Sequence, residues 1–167
     1  DVKYNEDGTV QSVTPNREGI TKNPTKRIIK DVETVDYPEK LIVPYIDTVH
    51  DRIVLELFRG CTRGCRFCQA GMIYRPIREK SVKRLKEILD KLVKNTGYDE
   101  ISLSSLSTSD YSKLSELTDY LVDEYASNNI GISLPSLRLD NFSMEIADKI
   151  QQVRKSGLTF APEAGTQ

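Results

Sequence analysis

The rhythm of apolar and polar positions changes along this chain, and each rhythm predicts a different kind of element. Near the start, Val2-Lys-Tyr4 and Thr9-Val10-Gln-Ser-Val13 flank Asn5-Glu-Asp-Gly8, which predicts a short hairpin turning at Asp7-Gly8. Beyond it, Pro15, Pro24, Pro38 and Pro44 stand among charged residues with little periodicity, so residues up to about 50 read as a linker or wrapping arm. From Ile53 the pattern becomes regular. Ile53-Val-Leu-Glu-Leu-Phe58 has strand length, and Ser81 precedes Leu85, Ile88, Leu89, Leu92 and Val93 at helical spacing. Glu100-Ile-Ser-Leu-Ser104 predicts a second strand, followed by a Ser/Thr-rich loop and a helix with Leu114, Leu117 and Leu121 on one stripe. Ile130-Gly-Ile-Ser-Leu134 predicts a third strand. Ser143 then caps a helix carrying Ile146, Ala147, Ile150 and Val153, with Gly157 past its end, and Leu158-Thr-Phe-Ala161 makes a fourth strand.

The order β-α-β-α-β-α-β predicts an α/β fold of parallel strands joined by right-handed helical crossovers. Four strands cannot close a barrel, and an open doubly wound sheet would bring a helix after its last strand, so the pattern looks cut off in mid-fold. Two segments follow: residues 1–50 as an N-terminal extension or inter-domain linker, and 51–167 as the regular βα domain. In such folds, active residues gather where strands end. Here each strand end presents polar groups: Cys61 after the first, Ser107-Thr-Ser-Asp110 after the second, Ser136 and Arg138 after the third, Glu163 after the fourth.

The three cysteines of the chain all fall in Cys61-Thr-Arg-Gly-Cys65-Arg-Phe-Cys68. An odd, tightly clustered set is a poor disulfide framework and suits a metal or redox site in a reducing compartment, which points to the cytoplasm. Structural zinc takes four ligands, and the nearest candidate, His50, lies across a predicted strand. An iron–sulfur cluster usually takes four cysteines, so three would leave one iron open to another ligand. Arg63 and Arg66 in the loop are placed to offset cluster charge; their alternative role is that of solvated loop side chains.

Composition narrows the picture. With 38 % apolar and 29 % charged residues the chain is globular rather than disordered, and a net charge of −1 argues no global attraction to nucleic acid or membrane. No apolar run reaches the length of a membrane span, and no signal peptide opens the sequence. Locally, Arg59, Arg63, Arg66, Arg75, Arg78, Lys80, Lys83, Arg84 and Lys86 stand against the single acid Glu79. This cluster keeps open a nucleic-acid-binding domain whose affinity would fall with salt, beside a zinc-stabilised binding module.

The loop Gly60-Cys61-Thr-Arg-Gly-Cys65-Arg-Phe67-Cys68, with its aromatic before the last cysteine and its place after the first strand, resembles the cluster motif of the radical S-adenosylmethionine (radical SAM) superfamily. The resemblance implies an enzyme in which Cys61, Cys65 and Cys68 hold a [4Fe–4S] cluster, the open iron chelates S-adenosylmethionine, and an external one-electron reductant feeds the cluster. A 5′-deoxyadenosyl radical then abstracts hydrogen from a substrate. It also implies a partial parallel (βα) barrel, present here to about the fourth strand, which alone would be inactive. Phe67 would pack around the cluster or the adenine. Thr108-Ser109-Asp110 stands where the superfamily often has Gly-Gly-Glu, the carboxylate shortened and both glycines gone; Asp110 would contact the methionine amino group. Pro135-Ser136-Leu137-Arg138 resembles the segment whose Ser and Arg reach the ribose or the carboxylate of S-adenosylmethionine, and Glu163 lies where subfamilies place a polar contact. No catalytic residue is named. The stretch Arg59–Ser81, the Pro-Ser-Leu-Arg and Ala-Pro-Glu-Ala-Gly segments and Val49-His50-Asp51-Arg52 are similar to an uncharacterised bacterial group that usually carries a cobalamin-binding domain upstream. Cobalamin would therefore come through a domain not in this chain. Substrates range from tRNA to small molecules and proteins.

Overall fold

The structure is a computed structural model that describes residues 1–163 and 165. By packing it comprises two compact units, Asp1–Lys30 and Asp31–Gln167. In the first, β1 (Val2–Tyr4) and β2 (Val10–Val13) pair antiparallel with Val2 opposite Val13. The turn forms where Asp7-Gly8 predicts it: Asp7 Oδ1 accepts the Thr9 N–H at 2.9 Å, and Gly8 has φ +81°, a conformation glycine adopts without Cβ strain.

The second unit is mixed α/β. Strands β3 (Ile53–Glu56), β6 (Glu100–Ser104) and β7 (Gly131–Ser133) form a parallel sheet in the order β3-β6-β7, with Ile53 beside Ile101 and Ile101 beside Ile132. Between β3 and β6 run β4 (Phe58–Arg59), a one-turn helix α1 (Ala70–Ile73), β5 (Arg78–Glu79) and α2 (Val82–Thr96). Helices α3 (Leu114–Tyr125) and α4 (Met144–Val153), and strands β8 (Leu137–Arg138) and β9 (Phe160–Ala161), complete it.

The helices form for the reasons their spacing predicts. Ser81 Oγ accepts the Arg84 N–H at 3.1 Å, Leu85, Ile88, Leu89 and Leu92 are buried, and α2 stops at Gly97 in the left-handed region. Leu114, Leu117 and Leu121 are buried on α3, and Ser143 caps α4 through the Ile146 N–H. Gly157 does not end α4; the chain leaves the helix at Arg154 in extended backbone.

Alternation along the sheet separates its faces. Ile53, Leu55, Ile101, Leu103 and Ile132 are sealed in the core with the helices, while Glu56, Ser102, Ser104 and Ser133 occupy the alternate positions. A parallel sheet covered on both faces reads as continuous apolar runs; this one is apolar on one face and mostly polar on the other, where Val54 is the apolar exception on β3.

One predicted strand divides and another stops short. The Ile53–Phe58 run holds to β6 through the Leu57 N–H bonded to Ser104 O, then turns so that Phe58–Arg59 pairs antiparallel with Arg78–Glu79. The third strand ends at Ser133, because Pro135 has no N–H for the ladder and Ser136 takes φ +58°. The fourth strand is accordingly short and pairs in parallel with β8 instead of β7.

Part of the proline-punctuated arm packs firmly. Val32 is buried, Glu33 accepts the Ser81 backbone N–H and its hydroxyl, and Asn95 donates to Glu39 O at 2.8 Å. Tyr37 donates its hydroxyl to Val54 O, and Lys80 Nζ donates to Glu56 O at 2.8 Å. These two carbonyls lie on the edge of β3 turned away from β6, so side-chain donors satisfy an edge that would otherwise offer itself to another strand.

Candidate metal centre

The cysteine loop leaves β4 at Gly60, whose φ is +104°. A Cβ there would collide with the carbonyl oxygens of Tyr74 and Pro76, so glycine alone fits between the loop and its returning segment. Farther on, Gly71 of α1 lies against Gly64; a Cβ on Gly71 would stand 3.2 Å from the Gly64 nitrogen. The Cys68 N–H closes a turn on Cys65 O at 3.0 Å. All three cysteines are free thiols of intermediate burial, and Phe67 is 72 % exposed beside them. Among the described residues, no three His, Cys, Asp or Glu side chains converge as a preformed metal cage. The thiols share a loop, and a bound group would have to gather them.

Over this loop lies a charged network drawn from the other strand ends. Asp110, in a 3-10 turn after β6, accepts Arg63 Nε at 2.8 Å, Ser107 Oγ at 2.7 Å and Asn141 Nδ2 at 3.0 Å, and Arg63 Nη2 completes a bidentate pair. The Arg63 hydrogen bonds prevail over burial and, with help from Ser107 and Asn141, hold the Asp110 carboxyl at about 2. Arg63 Nη1 also reaches Asp140 Oδ2 at 3.1 Å. Arg138 meets the same residue through Nε to Oδ1 at 3.0 Å and Nη2 to Oδ2 at 2.9 Å. Its remaining nitrogen, Nη1, stands 3.4 Å from Cys65 Sγ and 3.3 Å from Glu163 Oε1. Hydrogen bonding to Asp140 and Cys65 raises the guanidinium pKa further, so Arg138 stays a cation.

Of the residues singled out from sequence, Cys65, Asp110, Arg138 and Glu163 meet in this one network. Ser136 joins by its backbone, its carbonyl accepting the Thr108 N–H at 3.2 Å while its side chain is exposed. Glu163, like Ser136, has positive φ; Ala164 and Thr166 of its segment lie outside the described residues. Two members went unnamed in the sequence, Asp140 and Asn141, while Ser107 was named there as a strand-end residue. Asp140 carried one signal, its place two positions beyond Arg138 as the chain leaves an extended strand.

A second ionic cluster lies at the root of the loop. Lys80 is 1 % exposed, and its ammonium donates to Glu56 Oε2 at 2.6 Å. Arg59 binds the same carboxylate through Nε at 2.8 Å and Nη2 at 3.1 Å. Burial opposes the Glu56 charge, but the hydrogen bonds from Arg59 and Lys80 outweigh it and hold the carboxyl below the usual range. Part of the basic run is thus paired within the fold. Arg59, Arg63, Lys80 and Arg84 sit on carboxylates, and Lys86 lies 4.0 Å from the centre of the Tyr120 ring.

Comparison with known proteins decides the family. The family model described as the Radical SAM superfamily matches residues 55–167. The chain belongs to the radical SAM superfamily. It is also 32 % identical over 149 residues to the uncharacterized protein MJ0966 of Methanocaldococcus jannaschii, an alignment covering 89 % of this chain and 32 % of that protein. The chain thus spans about a third of this relative's length. Radical SAM domains generally pair a [4Fe–4S] cluster with S-adenosylmethionine, and three cysteines for such a cluster are present here. Among the described residues, no helix is long and apolar enough to cross a membrane.

Proposed function

We propose that Cys61, Cys65 and Cys68 bind a [4Fe–4S] cluster with one open iron, and that this chain supplies the cluster- and cofactor-binding part of a radical SAM enzyme. The donor set supports the fit: three thiols in one short loop, with an arginine N–H directed at one sulfur. When bound and reduced, the cluster supplies the electron that cleaves S-adenosylmethionine to the 5′-deoxyadenosyl radical for hydrogen abstraction. The chain's own residues hold and orient. Asp110 is ionised at any physiological pH and suits an ammonium such as the methionine amino group. Arg138 and Glu163 present charged edges beside Cys65, Ser136 shapes the turn that carries them, and Phe67 offers an exposed apolar ring to an adenine. The observation that carries this reading is the contact of Arg138 with Cys65, which joins residues from separate strand ends at the cysteine loop.

In the same reading the parallel sheet and the β8–β9 pair are the first part of a (βα) barrel, its polar face turned toward the cofactor. An external one-electron reductant and a reducing, cytoplasmic setting follow from the chemistry. A cobalamin-binding domain upstream belongs to the reading as well, and the substrate is left open. The pairing of five of the nine basic residues with carboxylates or an aromatic ring weakens the nucleic-acid alternative.

The test is iron and sulfide analysis of anaerobically purified full-length protein, with electron paramagnetic resonance spectra before and after adding S-adenosylmethionine. About four irons and four sulfides per chain, from the cubane stoichiometry, and a spectrum that changes with the cofactor are expected. Zinc without sulfide, or a cluster indifferent to the cofactor, would overturn the proposal.

A further inference from the structure

We infer that Asp140 is the positioning residue of this centre: it aims Arg138 at the sulfur of Cys65 and thereby tunes the potential of the iron–sulfur group held there. The inference rests on the cysteines being cluster ligands. A guanidinium is planar and rigid, so fixing one edge fixes the other. Asp140 takes the Nε and Nη2 edge of Arg138 with both carboxylate oxygens, at 3.0 and 2.9 Å. That pairing leaves Nη1 directed at Cys65 Sγ, 3.4 Å away. Glu163 stands 3.3 Å from Nη1, off the edge that Asp140 holds with both oxygens.

Asp140 is itself held from a second side. Its Oδ2 accepts Arg63 Nη1 at 3.1 Å, and Arg63 belongs to the cysteine loop and is clamped by Asp110. One carboxylate therefore orients two guanidiniums against one loop. Donors and positive charge beside a ligating sulfur favour the reduced, more negative cluster and raise its potential. With its side chain 50 % exposed, Asp140 is well placed to direct a neighbour and poorly placed to hold the fold together.

The sign of one measurement separates positioning from simple charge. Removing a nearby negative charge alone moves the cluster potential up, whereas releasing Arg138 from Cys65 moves it down. The experiment follows the midpoint potential through the resonance signal of the reduced cluster in anaerobic full-length protein. Wild type, Asp140→Asn, Asp140→Glu, Arg138→Met and the Asp140→Asn/Arg138→Met double variant are compared, each with iron and sulfide analysis and a thermal melt. The expected result is a lower potential in Asp140→Asn at unchanged iron content and melting temperature. The double variant should fall no further than Arg138→Met, and Asp140→Glu should regain part of the loss. A potential that rises or stays at the wild-type value in Asp140→Asn would overturn the inference and leave the cluster reading intact. A collapsed melting temperature in that variant would overturn it too, since the role would then lie in the fold. Wild-type protein without iron and sulfide would overturn both.

Discussion

Two ionic clusters flank the cysteine loop, built from the same residue types and suited to different work. At the root, Glu56 holds Arg59 and a Lys80 that is 1 % exposed. At the mouth, Arg63 and Arg138 share Asp110, Asp140 and Glu163, with the side chain of Asp140 half exposed. The root cluster replaces missing backbone partners at the β3 edge, and its ammonium has no route to water. Its charges are therefore tied to the fold. The mouth cluster makes a contact that a fold does not need, the arginine on Cys65. Burial of one group makes the difference. The Lys80 ammonium is sealed from water, so its attraction to Glu56 is less screened than that of a pair that water reaches. The other paired side chains of both clusters keep some exposure.

That contrast breaks most readily at Glu56. Glu56→Gln strands the buried Lys80 ammonium without a counter-charge on that carboxylate. Unfolding in urea should show a loss of about 3 kcal/mol, as for other buried pairs that lose one member. A loss no larger than that of a surface substitution would erase the difference between the clusters.

At the mouth, Asp110 gives a smaller effect with a defined pH window. Its folded carboxyl titrates at about 2, against 3.8 unperturbed. A depressed carboxylate stabilises the protein above its unfolded value, and the contribution is lost as pH falls through the folded one. Asp110→Asn should therefore cost about 1 kcal/mol near neutrality, reduced from the full linkage value by solvent screening. The gap between wild type and variant should close between pH 3.8 and about 2, as read from urea midpoints across that range. A gap independent of pH would mean that Arg63 does not sense the Asp110 charge.

The smallest effect on the fold is expected at the loop itself. Cys65→Ala removes a thiol of intermediate burial outside the core, so the melting curve should move by no more than about 0.5 kcal/mol in stability. Iron incorporation should be lost. A variant that unfolds would mean that the loop supports the core and that mouth and root form one unit.

The helix stripes Leu85–Leu92 and Leu114–Leu121 and the serine caps at 81 and 143 were legible because each is a local pattern that a few neighbouring residues impose. The division of the first strand after Glu56 was not, since apolar residues resume at once with Leu57 and Phe58 and the run keeps strand length. The turn is set by β5, which arrives some twenty residues later to pair with Phe58–Arg59. Likewise the packing of Val32, Tyr37 and Glu39 gave no periodic signal, because an extended arm docks one side chain at a time.

By itself the sequence determined the order of the three sheet strands and the three longer helices, and the cysteine trio with its spacing. These depend on spacing between near neighbours. Only the tertiary structure decided which charges meet. Arg63 finds Asp110 and Asp140 across 47 and 77 positions, and Arg138 finds Cys65 across 73. No local pattern encodes such pairs, because an ion pair depends on distance in space, and that distance exists only after the apolar face of the sheet has been buried under its helices.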